Sequence, residues 1–588
     1  MCGILNVITK NGNDLDLAAC RRALSYLTWR GPDLTTYKAW DNRVFWGQTI
    51  LSLTGDINNT DKHLSSVSGR FHLVFNGEIY NFRELESGWL KDSLNFISHG
   101  GTDSQVLVNL HEVLHLREVP RSLDGMYAYS LLDMKERTIS ICRDIQGEKS
   151  LYVYEDSKLI VISSEIRPIL SLVPSIKPDP QILRDYFHTR HFMFFERTLY
   201  PGIRQLLPGH IETINVDTMH WSKHCYQELG EWVDPDTMDK YSKSSIDTLT
   251  DELESLMESC IKQMIPKQRK YAAVVSGGVD SSLIAHYLVK HGKPDLLVAV
   301  NHVGKDRISS DLSGFEGVLG NTVNVIDVDV AAYSSEIQRC QQVCGSPLLS
   351  HSFVGQSIQS KFVQSAGCRV LFGGEGADEL LGGYPCYHNN RSFSDRFSPS
   401  PYTIYNDSEL EFIGENPMQL QYDLSEAWKR SLKVYENVKD PGERIAQAMM
   451  FCDFTWQLPS VGLRGADLMS MMWSVETRSV FIRRPIVKFA LNLPVSVKSD
   501  ATLEASPILR AKPLLKKLFL RYFPTELLQE KQGFAGFPNE SAIYLGDISD
   551  FLAFDFLNIQ PNSITGRLLD KATIWKLVNI EYFLRRTS

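Results

Sequence analysis

The sequence predicts a mixed α/β chain in two parts: an α+β N-terminal part, then a mostly parallel α/β part with a helical C-terminal end. Three observations predict it. Residues 1–215 alternate short strands and turns with a few helices, residues 271–372 alternate strands with helices, and beyond about residue 400 helical spacing dominates. A length of 588 residues suits about three domains, or two large ones.

In chain order, residues 2–8 form an apolar run fit for a buried strand, and residues 15–27 carry helical spacing. Strands are predicted at 71–76, 127–133 and 138–143, and a hairpin joins 152–154 to 159–163 around Glu155-Asp156. Residues 216–244 are polar and hold the turn signal Asp234-Pro235-Asp236, which places a linker between a domain at 1–215 and one at 245–588. A helix follows at 245–263, then a strand at 271–275, a helix at 283–291 and strands at 296–300, 323–328 and 370–372. Helices are predicted at 443–456 and 514–522.

Composition excludes several classes. The chain is 43% hydrophobic and 22% charged, ordinary for a globular protein, with a net charge of −9. Its basic clusters are short, such as Lys516-Lys517 and Arg585-Arg586, so solvated surface is expected and no nucleic acid partner. The ten cysteines are scattered; Cys340 and Cys344 have no second pair at metal-ligand spacing, and reduced thiols of a cytoplasmic protein are expected. The N-terminus has no basic region or cleavage site, no apolar run is long enough to span a membrane, and the final RRTS is not a prenylation box.

Two places carry chemistry. Removal of Met1 would make Cys2 the first residue, and its α-amino group could then take the proton from its own thiol. A thiolate attacking an amide needs an oxyanion hole, for which the Asn76 amide and the Gly77 N–H offer two donors; Asp103 could hold a substrate ammonium. Standing alone, Asn76-Gly77-Glu78 also reads as a hairpin turn and Gly100-Gly101-Thr102-Asp103 as a helix cap. The second place is Ser276-Gly277-Gly278-Val279-Asp280-Ser281-Ser282, set between a strand and a helix. Glycines that admit a close backbone and a helix N-terminus suit phosphate, and Asp280 suits a bridging magnesium ion. No Gly-Lys-Ser/Thr follows, so it is not a Walker loop.

Met1-Cys2-Gly3-Ile4, Arg30-Gly31-Pro32-Asp33, Asn76-Gly77-Glu78-Ile79-Tyr80-Asn81 and Gly101-Thr102-Asp103 stand in the order found in class II glutamine amidotransferase domains, and the set resembles the glutaminase half of the asparagine synthetase family. The SGGVDS segment resembles the pyrophosphate loop of the ATP pyrophosphatases. Gly374-Glu375-Gly376-Ala377-Asp378-Glu379 with Gly382-Gly383-Tyr384, Ala466-Asp467-Leu468-Met469-Ser470-Met471 with Val475-Glu476-Thr477-Arg478, and Lys531-Gln532-Gly533-Phe534 resemble further motifs of the synthetase half.

The resemblance implies an N-terminal-nucleophile αββα sandwich followed by an adenine-nucleotide α-hydrolase-like parallel α/β domain. It implies glutamine held by Arg30, Asn76, Glu78 and Asp103, with Cys2, Asn76, Gly77, Glu375 and Lys531 as catalytic residues. ATP would meet Val275, Ser276, Gly277, Gly278, Asp280, Ser281, Gly374 and Tyr384, and Mg2+ would meet Asp280 and Asp378. The activity implied is ATP-driven amidation of a small carboxylate, aspartate or a related acid, through an acyl-adenylate, with ammonia passed between domains; a homodimer stays open.

Three departures bear on that expectation. Ile50 stands where the family places an arginine for the glutamine α-carboxylate, so free ammonia is an alternative donor. Spacing puts His351 at an arginine position of the acceptor site, and Phe481-Ile482-Arg483 replaces the usual Phe-Leu-Asp. The alternatives are an adenylating enzyme making a uronamide, another natural-product amide or a closed ring with a weakened glutaminase, and a non-catalytic homologue.

Overall fold

The computed structural model describes residues 2–53, 64–91, 102–189, 193–303, 312–387, 418–500, 507–529, 551–557 and 571–587. Among the described residues, seventeen strands form three sheets. The first contains β1 (Cys2–Thr9), β2 (Leu34–Trp40), β3 (Val44–Ile50), β8 (Tyr152–Glu155), β9 (Leu159–Ser163) and β10 (Ile203–Gln205), in the order β10-β8-β9-β1-β3-β2. The second contains β4 (Leu64–Ser65), β5 (Phe71–Ile79), β6 (Gly125–Asp133), β7 (Thr138–Arg143), β11 (His210–Asn215) and β12 (Trp221–Cys225), in the order β12-β11-β7-β6-β5-β4. All pairings in both are antiparallel.

Strand alternation stacks these sheets. Ile4 and Ile8 of β1 pack with Val74, Leu132 and Ile139 of the second sheet, while Leu5 and Val7 turn to the helices behind the first. On the far side of the second sheet, Leu73, Phe75 and Tyr129 meet the helix Asp103–Val113. Helices therefore cover both outer faces, the αββα sandwich expected. The expected linker differs: β12 falls inside 216–244 and completes the second sheet, and the helix Pro235–Ser242 follows, capped by Asp234.

The third sheet is wholly parallel, β15-β14-β13-β16-β17, from β13 (Tyr271–Val274), β14 (Leu296–His302), β15 (Val323–Val328), β16 (Val370–Gly373) and β17 (Glu476–Ser479). Parallel strands need crossovers, and the helices Val279–His291 and Ser352–Ser365 supply two of them. The predicted 443–456 helix ends earlier. It runs Pro441–Cys452 and widens into a π-helical stretch, Asp453–Leu463, whose Pro459 has no N–H to continue an α-helical ladder.

The two parts are joined by buried charge. Asp467 accepts from Arg30 and from Lys149, each at 2.8 Å, and all three are 3% exposed or less. Arg483, at the Phe-Ile-Arg departure, pairs through its fork with Asp124 and takes the Asp124 side of the joint. The unusual arginine thus has a docking role. No helix among the described residues is long and apolar enough to cross a membrane.

Candidate active site

Cys2 begins β1 in register with Ile50 of β3, and the backbone N–H of Cys2 donates to Asn76 Oδ1 at 3.1 Å. Once Met1 is gone, that nitrogen is the α-amine. Asn76 is fully buried, and its Nδ2 has no hydrogen-bond partner among the described residues. Burying an unpaired amide is costly, so a free donor beside a thiol is a group waiting for an acceptor. The segment Asn76-Gly77-Glu78 is no turn: it lies within β5, paired to Ala128, Tyr127 and Met126 of β6. A Cβ at Gly77 would fall 2.1 Å from the Met126 carbonyl oxygen, so only glycine permits that approach.

Cys2, Gly77, Glu78, Thr102, Asp103 and Ile50 line one cavity of about 70 Å³, several times the space of a single water. Thr102 caps the helix Asp103–Val113, so the capping reading holds alongside the cavity. Asp103 accepts from the N–H groups of Ile79 and Ser104 at 3.0 and 2.8 Å, which fixes its carboxylate. Burial raises its pKa, against those hydrogen bonds. Burial pushes Glu78 up to about 8, although Arg478 opposes the shift. The Cys2 thiol is also raised by burial, so an adjacent base matters for its activation.

Arg30 stands elsewhere. Its guanidinium goes to Asp467 at 2.8 Å and Glu165 at 3.3 Å, and its Nε donates to the Cys2 carbonyl at 3.2 Å. It is not among the cavity's lining residues. The expected contact of Arg30 with glutamine gives way to a role in holding the strand that carries the thiol, because its charge is already spent on two buried carboxylates. Ile50 lines the cavity as expected, and no lysine, arginine or histidine lines it among the described residues.

The second site sits at the C-terminal ends of β13 and β16. Val275 is buried and its N–H donates to Val298. Gly277 takes φ +77, a left-handed turn that suits glycine, and Gly278 caps the helix Val279–His291. The hydroxyls of Ser276 and Ser281 meet at 3.0 Å and brace the loop. Gly374 brings the chain after β16 against Asp280: a Cβ there would lie 3.3 Å from Asp280 Cβ. Glu375 accepts from the Ser479 hydroxyl at 3.3 Å, and burial raises its pKa. Tyr384 donates to Glu379 at 2.8 Å.

Asp280 and Asp378 converge on one point, now held by an ammonium: Lys512 Nζ is 2.6 Å from Asp280 Oδ2 and 2.5 Å from Asp378 Oδ1. Asp280 Oδ1 is buried with no hydrogen-bond partner among the described residues. Two carboxylates aimed at one position, one with an unused oxygen, fit a magnesium ion. No group of three or more acidic, cysteine or histidine ligands is found among the described residues. Lys531 lies outside the described residues. His351 lies against Trp575, with ring centroids 3.9 Å apart and planes tilted by 35°. The sequence does not mark Lys512, Arg478 and the Arg30–Asp467–Lys149 cluster as a set. Arg478 and Asp467 lay inside recognised motifs, while nothing in the local sequence marks Lys512.

A bridge runs between the sites. Arg478 on β17 pairs with Glu476 at 2.7 Å and with Glu78 of the thiol cavity at 3.4 Å, while Ser479 on the same strand faces Glu375. Comparison with known proteins follows this division. Residues 1–227 match the glutamine amidotransferase domain, and residues 252–581, more than half the chain, match asparagine synthase. The chain belongs to the asparagine synthase family.

A putative asparagine synthetase [glutamine-hydrolyzing] of Mycobacterium bovis is 24% identical, the match covering 98% of this chain and 93% of the relative. Asparagine synthetase [glutamine-hydrolyzing] 3 of Bacillus subtilis is 22% identical, over 99% and 94%. The chicken asparagine synthetase [glutamine-hydrolyzing] is 25% identical over 57% of each chain. Among solved structures, glutamine phosphoribosylpyrophosphate amidotransferase of B. subtilis, complexed with ADP and GMP, matches at 16% identity. That match covers 55% of this chain and 81% of the other, with a TM-score of 0.30.

Proposed function

We propose that this chain is a glutamine-dependent amidotransferase of the asparagine synthetase type, which hydrolyses glutamine at Cys2 and amidates a small carboxylate activated by ATP. The observation that carries the reading is the pairing of the Cys2 nitrogen with Asn76 Oδ1 at 3.1 Å, while the buried Asn76 Nδ2 has no hydrogen-bond partner among the described residues. The α-amine released by loss of Met1 takes the thiol proton, and the sulfur attacks the glutamine amide carbon. Asn76 Nδ2 and the Gly77 N–H donate to the oxygen that gains charge, and Asp103 and Glu78 take the substrate ammonium; the tetrahedral intermediate collapses to a thioester with release of ammonia, and water then hydrolyses the thioester to glutamate and free Cys2.

At the second site, the acceptor carboxylate displaces pyrophosphate from ATP, giving an acyl-adenylate whose AMP then leaves as ammonia attacks. The helix N-terminus behind Gly278 and the glycine loop bind phosphate; Gly374 and Tyr384 belong to the same mouth. Asp280 and Asp378 are the carboxylates that would hold Mg2+, whose charge would offset that of the departing pyrophosphate. Glu375 is assigned to the activated acceptor, and Lys531 to the phosphates. Aspartate or a related small acid is the acceptor.

The test is a pyrophosphate-release screen over carboxylic acids with glutamine or ammonium as donor. Cys2→Ala should abolish product from glutamine and leave product from ammonium. Loss of both, or of neither, overturns the two-site scheme.

A further inference from the structure

The point shared by Asp280 and Asp378 is filled by this chain's own cation, and the fold is built to keep it there. Lys512 is 3% exposed, and its backbone is left-handed, φ 53 and ψ 46, just ahead of Pro513, which opens the helix Pro513–Phe519. A lysine gains nothing by itself from that conformation, which L side chains rarely adopt, so its surroundings hold it. Its N–H donates to the Lys498 carbonyl at 2.9 Å, and its own carbonyl accepts from Lys516. A Cβ at Gly383 would fall 1.7 Å from Asp378 Oδ1 and 2.5 Å from Lys512 Cε, so the packing depends on glycine there.

Charge dictates what such a lysine does. Two carboxylates and one ammonium leave a deficit of one positive charge, and Asp280 Oδ1 stays unserved. A divalent cation on the same oxygens would neutralise the pair and compete directly with the ammonium. A polyphosphate is a more highly charged partner for the lysine than the pair it sits on.

We propose that Lys512 is a nucleotide-site residue with two positions: on the Asp280–Asp378 pair when the site is empty, and on the polyphosphate of a nucleoside triphosphate when one is bound. The ammonium thereby denies the carboxylates to a free divalent cation and yields them when nucleotide arrives. This rests on the reading that the SGGVDS loop takes ATP.

The experiment follows free Mn2+ by electron paramagnetic resonance with full-length protein, with and without a non-hydrolysable ATP analogue, and measures a fluorescent ATP analogue with and without Mn2+. For the wild type, the ATP analogue should tighten Mn2+ binding at least tenfold. In Lys512→Met, Mn2+ should bind at least tenfold tighter than in wild type without nucleotide, and metal-free binding of the fluorescent analogue should weaken at least tenfold. Lys512→Arg, which keeps the charge, should stay near wild type. Equal Mn2+ affinity in wild type and Lys512→Met without nucleotide, with the fluorescent analogue bound equally by both, overturns the role of Lys512 and leaves the nucleotide site standing. Failure of the wild type to bind the fluorescent analogue under any condition overturns the nucleotide reading itself. Should Lys512→Met not fold, the wild type decides alone: Mn2+ binding that ignores the ATP analogue refutes the proposal.

Discussion

Asp467→Asn is the sharpest perturbation of the joint between the two halves. Arg30, Lys149 and Arg167 carry three positive charges into this cluster against Asp467 and Glu165, and Arg167 already shares Glu165 with Arg30. Burial disfavours the Asp467 carboxylate, yet Arg30 and Lys149 outweigh it and hold its pKa below the usual range. Asparagine keeps the shape and removes the charge, so the buried excess rises from one positive charge to two. Lys149, whose Nζ has Asp467 as its ion-pair partner, loses that compensation. Removing one member of a buried pair costs about 3–5 kcal/mol. At 1.4 kcal/mol per tenfold, the docked arrangement weakens by roughly 100-fold or more. Two assays read this. Calorimetry should show unfolding transitions that separate or move down, and turnover should release more glutamate than AMP as ammonia escapes. A thermogram that superimposes on wild type, with glutamate and AMP still equal, would refute the reasoning.

The other predictions concern single groups. Asn76→Ala should lower glutamine-driven turnover about 100- to 1,000-fold, the usual loss for one oxyanion donor, with ammonium-driven product kept. Ile50→Arg puts a cation into a cavity with no basic lining among the described residues; a charge-assisted hydrogen bond of about 1.5–3 kcal/mol should lower KM for glutamine about 10- to 100-fold. An unchanged KM would mean that the α-carboxylate is held from another side. Burial lowers Lys498 to about 7, its ammonium meeting Gln447 Oε1 at 2.8 Å. The unfolded chain therefore binds more protons between pH 7 and about 10.5, so stability should rise with pH across that window. Lys498→Met should flatten the rise in melting temperature. His111, driven down to about 3 by burial, works the same way at lower pH: the protein should lose stability as pH falls below about 6.5, and His111→Phe should soften that loss.

Much of the architecture was legible because apolar runs and turns announce it. The strands at 138–143 and 323–328 coincide with β7 and β15, and the hairpin about Glu155-Asp156 is β8–β9. Seven strands have no counterpart in the prediction, β2, β3, β4, β10, β11, β12 and β17, and two of them are hidden by their polarity. β12 and β17 are polar in sequence, and β17 reads Glu-Thr-Arg-Ser although all four residues are buried. Period-two hydrophobicity has nothing to report in a half-exposed polar strand such as β12, or where β17 buries charge against charge. The site residues named from motifs were recognisable by type and order. Their partners were not: Arg30 meets Asp467 across 437 positions and Lys512 meets Asp280 across 232. No local pattern encodes a contact closed by the whole fold.

β17 holds Arg478 toward the thiol cavity and the next residue, Ser479, toward the carboxylate Glu375. Neighbouring side chains on a strand point in opposite directions, so this division depends on parity. Inserting or deleting one residue ahead of Glu476 would turn both outlooks around together. The nitrogen-releasing and acid-energising chemistries would then fail as one event, so these four positions should tolerate changes of side chain more readily than changes of count.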